Sequence, residues 1–142
     1  MYDLMIIGSG PAGISAALTA KARNLNFIWF GSRALSTKIE KAEKIMNYPG
    51  LPAVTGSEMQ SVFLKQIDDC GITITESQVN SIYDCGGYFA AGADNEIYEA
   101  KAVIMTVGMT TTREIEGEAR LLGCGVSYCA TCDGALYKNK DI

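Results

Sequence analysis

Residues 3–13 read DLMIIGSGPAG, an apolar run that ends in a glycine-rich loop. The run predicts a buried strand over residues 3–7, and apolar side chains at helical spacing predict a helix over residues 11–23. Pro11 suits the first turn of this helix, because an N–H group there would lack an intrahelical partner. A second apolar segment, residues 26–30, predicts a parallel strand and completes a strand–helix–strand unit.

The loop between this strand and helix matches the G-x-G-x-x-G pattern of dinucleotide-binding loops. In that pattern the first glycine makes a tight turn, the second admits the pyrophosphate, and the third lets the helix pack on the strand. Backbone N–H groups and the positive end of the helix dipole then face the phosphates. We therefore predict a dinucleotide site made by Gly8, Ser9, Gly10, Pro11, Ala12 and Gly13.

One expected feature of a dinucleotide site is missing. An acidic residue for the ribose hydroxyls usually follows the loop by about 20 residues, at the end of the second strand. This chain has Gly31, Ser32 and Arg33 at that place. The Ser32 hydroxyl can hydrogen-bond a ribose or phosphate oxygen. Arg33 can pair with a phosphate, or it can be an ordinary solvated surface charge, and the sequence leaves both open.

The second chemical feature is a cysteine pair, Cys129 and Cys132. Two cysteines at this spacing can switch between dithiol and disulfide, and the thiolate is the attacking species. The neighbouring Asp133 can deliver or accept a proton as the sulfurs change charge. It can equally cap a helix that begins at Gly134. The chain has no histidine, which removes imidazole ligands and histidine bases from consideration.

Composition limits the classes of function. Hydrophobic residues make up 48% and charged residues 20%, as in soluble globular proteins, and the net charge is -4. An acidic balance disfavours nucleic acids and anionic membranes as partners. Since no stretch is typical of a signal peptide or a membrane span, we predict a cytoplasmic protein. A cysteine pair in the cytoplasm indicates redox or metal chemistry before a structural disulfide.

A zinc-binding interaction module is an alternative use of the cysteines. Zinc requires four ligands, and Cys85 and Cys124 are candidates to complete a set with the pair. Neither a second Cys-x-x-Cys motif nor a histidine supports this alternative, and we assign no metal-binding residue.

The remaining pattern predicts elements that surround the strand–helix–strand unit. Residues 36–46 predict a polar helix, and residues 55–58 have the spacing of a capping box that opens a helix ending at Gly71. Period-two segments at 72–75, 78–83, 88–91 and 97–99, with turns at 86–87 and 94–95, predict a small antiparallel meander. Residues 102–107 predict a further core strand.

Four segments of the chain, in order, resemble the N-terminal part of low-molecular-weight thioredoxin reductases and their flavoprotein relatives. They read DLMIIGSGPAG at 3–13, NYPG at 47–50, VIMTVG at 103–108 and GVSYCATCDG at 125–134. The resemblance implies an α/β fold: a Rossmann-like FAD-binding domain of three layers, with a parallel sheet and a small antiparallel meander. We expect its first segment over residues 1–116, and a linker with the start of a second, inserted domain over 117–142. The chain ends where a strand is expected, which indicates a fragment.

The resemblance also implies roles for single residues. FAD is the implied cofactor, with Asn47, Thr106 and Gly108 near its isoalloxazine ring, and Gly31, Ser32 and Val79 completing the cofactor-binding set. Cys132 is the implied flavin-facing sulfur, Cys129 the sulfur that attacks the partner's disulfide, and Asp133 the acid. The inserted domain normally binds NADPH, but the NADPH motif lies outside this sequence.

Two departures from the family concern the electron donor. Gly31 replaces the expected acid, and residues 34–44 lack the family's usual Gly-Gly-Gln-like loop. This pattern is similar to clostridial relatives that take electrons from ferredoxin, so the donor is NADPH or ferredoxin.

We therefore predict an FAD-dependent disulfide reductase that passes two electrons through the Cys129–Cys132 pair to thioredoxin or a similar protein. We expect a homodimer, or a complex with the remaining part of the protein. A non-catalytic flavin-binding module that needs another chain for activity is a further alternative, beside the zinc module.

Overall fold

One mixed sheet with helices packed against it forms the framework of the protein. The computed structural model describes residues 1–108, 115–121, 124–126 and 134–139. Within these residues the strands are β1 (Tyr2–Ile7), β2 (Phe27–Phe30), β3 (Val79–Asp84), β4 (Phe89–Ala93) and β5 (Glu96–Met105). The helices are α1 (Pro11–Ala22), α2 (Thr37–Glu40), α3 (Gly56–Asp69) and α4 (Glu118–Leu121), and a 3₁₀ turn covers Gly134–Tyr137. The strand order is β2-β1-β5-β4-β3.

The parallel half of the sheet confirms the predicted strand–helix–strand unit. Strand β1 lies between β2 and β5 and pairs with both in parallel. Helix α1 begins at Pro11 and ends at Ala22. Asn24, two residues later, has a φ of 54°, in the left-handed region, so the helix cannot continue. The carboxyl ends of three parallel strands therefore meet at one edge, where ligands of such sheets bind.

Strand β5 joins the meander to the parallel sheet. Its first half pairs antiparallel with β4, and its second half pairs parallel with β1. The sequence predicts two separate strands here, at residues 97–99 and 102–107. The structure has one strand: Ala100 between them is fully buried, and Lys101 reaches Asp3 of β1 with its Nζ 2.7 Å from Oδ1.

Two apolar cores separate the three layers that the family resemblance implies. The first lies between the sheet and helices α1 and α3, and Ile6, Trp29 and Ile67 are almost fully buried in it. The second lies on the opposite face, where the meander covers β1 and β2. In that core the rings of Phe30 and Tyr98 meet edge to face with centroids 5.0 Å apart.

Two predicted elements are shorter than the sequence indicates. Helix α2 covers four residues instead of 36–46. The carbonyl of Ala42 accepts a hydrogen bond from the N–H of Gly56 (2.8 Å), so the start of α3 occupies the place where α2 would continue. Residues 72–75 form no strand beyond a single parallel bridge between Thr75 and Phe30.

Helix α3 begins with the predicted capping box. The Thr55 hydroxyl accepts from the N–H of Glu58 (3.2 Å), and the Glu58 carboxylate accepts from the N–H of Thr55 (2.8 Å). Of the helices in the described part of the chain, none has the length and apolar character needed to cross a bilayer.

Candidate functional site

The glycine loop is tied to all three parallel strands. The N–H of Gly8 donates to the carbonyl of Phe30 (2.8 Å). The carbonyl of Gly8 accepts from Nε1 of Trp29 (2.9 Å) and from Oγ1 of Thr106 (3.1 Å). Because β1, β2 and β5 each contribute to these bonds, the loop is held in place before any ligand arrives.

The glycines of the loop are required for different reasons. A Cβ atom on Gly13 would overlap the carbonyl oxygen of Gly8 and lie 2.8 Å from Oγ1 of Thr106. Gly8 itself has a φ of 111°, which side chains rarely allow. A Cβ on Gly10, by contrast, would meet no atom within 4 Å from the other segments that the structure describes, its chain neighbours and its own helix aside. Protein packing therefore explains Gly8 and Gly13, while the open space at Gly10 is available to a ligand.

The N-terminus of α1 leaves backbone donors for that ligand. Gly10 is the N-cap residue, and it makes no side-chain capping bond. The first N–H groups of a helix have no intrahelical acceptor, and together with the helix dipole they favour an anion. The open space at Gly10 and the uncapped helix fit the pyrophosphate of a dinucleotide such as FAD.

Ser9 connects the glycine loop by hydrogen bonds to the segment that follows β2. Its hydroxyl donates to the carbonyl of Leu35 (3.1 Å) and accepts from the N–H of Ser32 (2.9 Å). A Cβ on Gly31 would lie 2.5 Å from Cβ of Ser9. Position 31 therefore has no room for a side chain, which explains physically why the expected acid is missing there.

Arg33 is engaged at the surface. Its guanidinium makes hydrogen bonds of 3.0–3.1 Å to both carboxylate oxygens of Asp68, and both side chains are about half exposed. These hydrogen bonds raise the pKa of Arg33 and lower the pKa of Asp68. Of the two interpretations left open by the sequence, this ion pair favours a surface charge.

Glu76 is a site residue that the sequence analysis missed. Its Oε1 accepts from the N–H of Arg33 (2.8 Å), and the hydroxyl of Ser32 lies 3.5 Å away. Together with Gly31 and Ser32, Glu76 lines a cleft of about 410 Å³ at the end of β2. The sequence feature that could have indicated Glu76 is its position directly after the period-two segment 72–75.

The structure brings the glycine loop together with Gly31, Ser32 and Thr106. Gly108 follows β5, exposed, with a φ of 67°. Asn47 lies exposed between α2 and α3, and Val79 begins β3 at the margin of the second core. No hydrogen bond joins Asn47 or Val79 to the loop among the described residues, and their roles stay predictions.

The redox residues Cys129, Cys132 and Asp133 lie outside the described residues. The described cysteines are all free: Cys70 is partly buried, while Cys85 and Cys124 are exposed. No group of three or more metal-ligating side chains occurs within the described ranges. The zinc alternative needs the cysteine pair, so these ranges do not test it.

Comparisons with known proteins identify relatives of this chain. The model of the family described as "Pyridine nucleotide-disulphide oxidoreductase" matches residues 2–141. The thioredoxin reductase of Bacillus subtilis (strain 168) is 32% identical over 143 aligned positions, covering the whole of this chain and 45% of that protein. The chain thus spans about half the length of the relatives it matches.

Two solved structures that resemble this chain are also thioredoxin reductases. A ferredoxin-flavin thioredoxin reductase from Clostridium acetobutylicum is 48% identical with a TM-score of 0.76, over 96% of this chain and 47% of that one. The thioredoxin reductase of Streptococcus pyogenes MGAS5005 is 35% identical with a TM-score of 0.82, over 96% of this chain and 45% of that one.

Proposed function

The chain belongs to the pyridine nucleotide-disulphide oxidoreductase family, and we propose that it carries the FAD loop and the redox cysteines of a disulfide reductase of the thioredoxin reductase type. The observation that carries this proposal is the glycine loop, which is anchored to three strands and left open at Gly10. The same family match extends over the Cys129–Cys132 pair.

The proposed FAD site runs along the carboxyl edge of the parallel strands. Residues 8–13 hold the pyrophosphate, and Gly31 and Ser32 lie toward the adenosine end. Asn47, Thr106 and Gly108 are assigned to the isoalloxazine end, and Val79 completes the cofactor-binding set. Once reduced by the electron donor, bound FAD would supply two electrons for a disulfide.

The sulfur chemistry is assigned to the cysteine pair. The Cys129 thiolate attacks one sulfur of the partner's disulfide, forms a mixed disulfide and displaces the other sulfur as a thiolate. The Cys132 thiolate then attacks Sγ of Cys129, which releases the partner as a dithiol and leaves a Cys129–Cys132 disulfide. Asp133 gives a proton to a departing thiolate, because a protonated thiol cannot reverse the step.

The proposed electron acceptor is thioredoxin or a protein like it. Support comes from relatives named thioredoxin reductase, which match the whole length of this chain at 30–34% identity. In keeping with these relatives, residues 1–116 are assigned to the FAD-binding domain and residues 117–142 to the start of a second domain. A homodimer in the cytoplasm is part of the same proposal.

The proposed electron donor is a ferredoxin. Support comes from the 48% identity with a ferredoxin-flavin thioredoxin reductase, compared with 35% for the thioredoxin reductase from Streptococcus pyogenes.

The donor is tested by an anaerobic titration of the complete protein, followed by the visible absorption of its flavin. We expect reduced ferredoxin to bleach the band and NADPH to leave it unchanged. Bleaching by NADPH but not by ferredoxin would overturn the donor assignment alone. Complete protein that binds no flavin at all would overturn the disulfide reductase proposal.

A non-catalytic flavin-binding module that needs another chain for activity is the second candidate, because the anchored glycine loop bears on flavin binding and not on turnover. The two candidates differ in turnover. A module retains flavin yet reduces no protein disulfide unless another chain is added.

A further inference from the structure

The end of β2 cannot carry the acidic side chain that a dinucleotide ribose usually meets. That acid would stand at Gly31, where a Cβ would lie 2.5 Å from Cβ and 2.8 Å from Oγ of Ser9. Ser9 cannot move aside easily, because its hydroxyl bonds both Leu35 and Ser32. A carboxylate at this edge has to come from another segment.

The segment that follows α3 brings a carboxylate to the carboxyl end of β2. The N–H of Thr75 donates to the carbonyl of Trp29 (2.7 Å), and the carbonyl of Thr75 accepts from the N–H of Gly31 (3.1 Å). Since this bridge is parallel, the residue after Thr75 emerges at the carboxyl end of β2. That residue is Glu76.

Among the described residues, hydrogen bonds hold the carboxylate of Glu76 by one oxygen only. Oε1 accepts from the N–H of Arg33 (2.8 Å), with the hydroxyl of Ser32 at 3.5 Å. Oε2 accepts no hydrogen bond from any other residue that the structure describes. The guanidinium of Arg33 is bonded to Asp68 and makes no hydrogen bond to Glu76. An oriented acceptor therefore borders the cleft of about 410 Å³ beside Ser32.

We propose that Glu76 accepts hydrogen bonds from the adenosine ribose hydroxyls of the bound dinucleotide, in place of the acid that Gly31 excludes. An ionised carboxylate has acceptor sites only, and the two neighbouring hydroxyls of a ribose are donors. The inference rests on the proposed FAD site, and it assigns a specificity residue within it.

The test uses the complete protein freed of bound nucleotide and two probes, ADP and 2′,3′-dideoxy-ADP, which lacks both ribose hydroxyls. Calorimetric titration gives a dissociation constant for each probe. Wild-type protein should bind ADP about 10-fold or more tightly than dideoxy-ADP, as expected for a hydrogen bond to a charged group. In Glu76→Ala the affinity for ADP should fall to that for dideoxy-ADP, and the affinity for dideoxy-ADP should stay unchanged.

Two further variants separate ribose binding from a structural role. Glu76→Gln keeps an oxygen that can accept from the N–H of Arg33, so it should fold like wild type yet discriminate less between the probes. Glu43→Ala removes an exposed carboxylate elsewhere on the surface and should discriminate like wild type.

Equal discrimination in wild type and both Glu76 variants overturns the inference, and so does wild-type protein that binds FAD but treats the two probes alike. A Glu76→Ala variant that weakens both probes by the same factor also overturns it, since that pattern reports a distorted loop. Failure of the wild type to bind FAD overturns the proposed function, and this inference with it.

Discussion

At the scale of single residues, the candidate site depends on one carbonyl group and one open position. The Gly8 carbonyl accepts hydrogen bonds from Trp29 of β2 and from Thr106, the residue directly after β5. A Cβ on Gly10 would meet no atom of the other described segments within 4 Å, its chain neighbours and its own helix aside. Substitutions at Gly10 and Gly13 therefore separate ligand binding from folding.

Gly10→Ala should weaken FAD binding while the protein stays folded. The backbone of Gly10 has φ -72° and ψ -179°, which any residue adopts, so the free energy of unfolding should change by less than about 1 kcal/mol. Its Cβ would occupy the space that the pyrophosphate needs. Flavin fluorescence titration measures the affinity, and urea unfolding measures the stability.

Gly13→Ala is the matched comparison. Its Cβ would overlap the Gly8 carbonyl, so the free energy of unfolding should fall by about 1–3 kcal/mol. A Gly10→Ala protein with wild-type affinity for FAD would show that the open position is not where the phosphates bind.

Cys132→Ser should abolish disulfide reduction and leave flavin bound, since the variant keeps the glycine loop but cannot form the Cys129–Cys132 disulfide. Turnover with thioredoxin and the flavin content of the purified protein are the two measurements. Cys85→Ser, which changes an exposed free cysteine, is the control and should retain turnover. Undiminished turnover in Cys132→Ser, or loss of its flavin, would contradict the assigned role.

Residues whose role is local were predictable from the sequence, and Glu76 was not. The three glycines of the loop stand in one short pattern, so their spacing predicted the observed turn. Glu76 lies more than 40 positions from Ser32, with which it lines a cleft. Its contribution depends on the bridge between Thr75 and Phe30, which local patterns do not encode.

At the scale of elements, α3 gives a test of stability against pH. Hydrogen bonds from the N–H and hydroxyl of Thr55 lower the pKa of Glu58 below its ordinary value of 4.5. A lowered folded-state pKa means that the stabilisation is full above the unfolded-state value and is lost as pH falls through the folded-state value.

Glu58→Ala should therefore be less stable than wild type near neutral pH, and the difference should shrink as the solution is acidified below the ordinary pKa of 4.5. Urea unfolding of both proteins across this pH range measures it. Ser57→Ala, which changes the neighbouring exposed residue, should show no such trend. A difference between wild type and Glu58→Ala that grows on acidification would contradict the capping role.

Elements were predictable where their own sequence contains the decisive signal. Helix α3 has its capping box and a regular apolar face, and its start was predicted correctly. Helix α2 is cut short by the contact between Ala42 and Gly56, which belongs to tertiary packing. Strand β5 was predicted as two segments that left out residues 100 and 101, whereas the strand continues through a buried Ala100.

At the scale of the whole molecule, the proposed function depends on two motifs that are far apart in the sequence, the glycine loop and the cysteine pair. Periodicity and turns predicted the parallel strands and the meander, and the family resemblance implied the layers. The structure places three strand ends around Gly8. The relation of the loop to the cysteine pair is a prediction, since the pair lies outside the described residues.

The most direct test of this relation is an anaerobic reductive titration of the complete protein with dithionite, counted per bound flavin. A flavin and a disulfide each take two electrons, so the wild type should accept about four electrons per flavin and Cys132→Ser about two. Uptake of only about two electrons by wild-type protein whose cysteines begin as a disulfide would contradict electron transfer from the flavin to the Cys129–Cys132 pair.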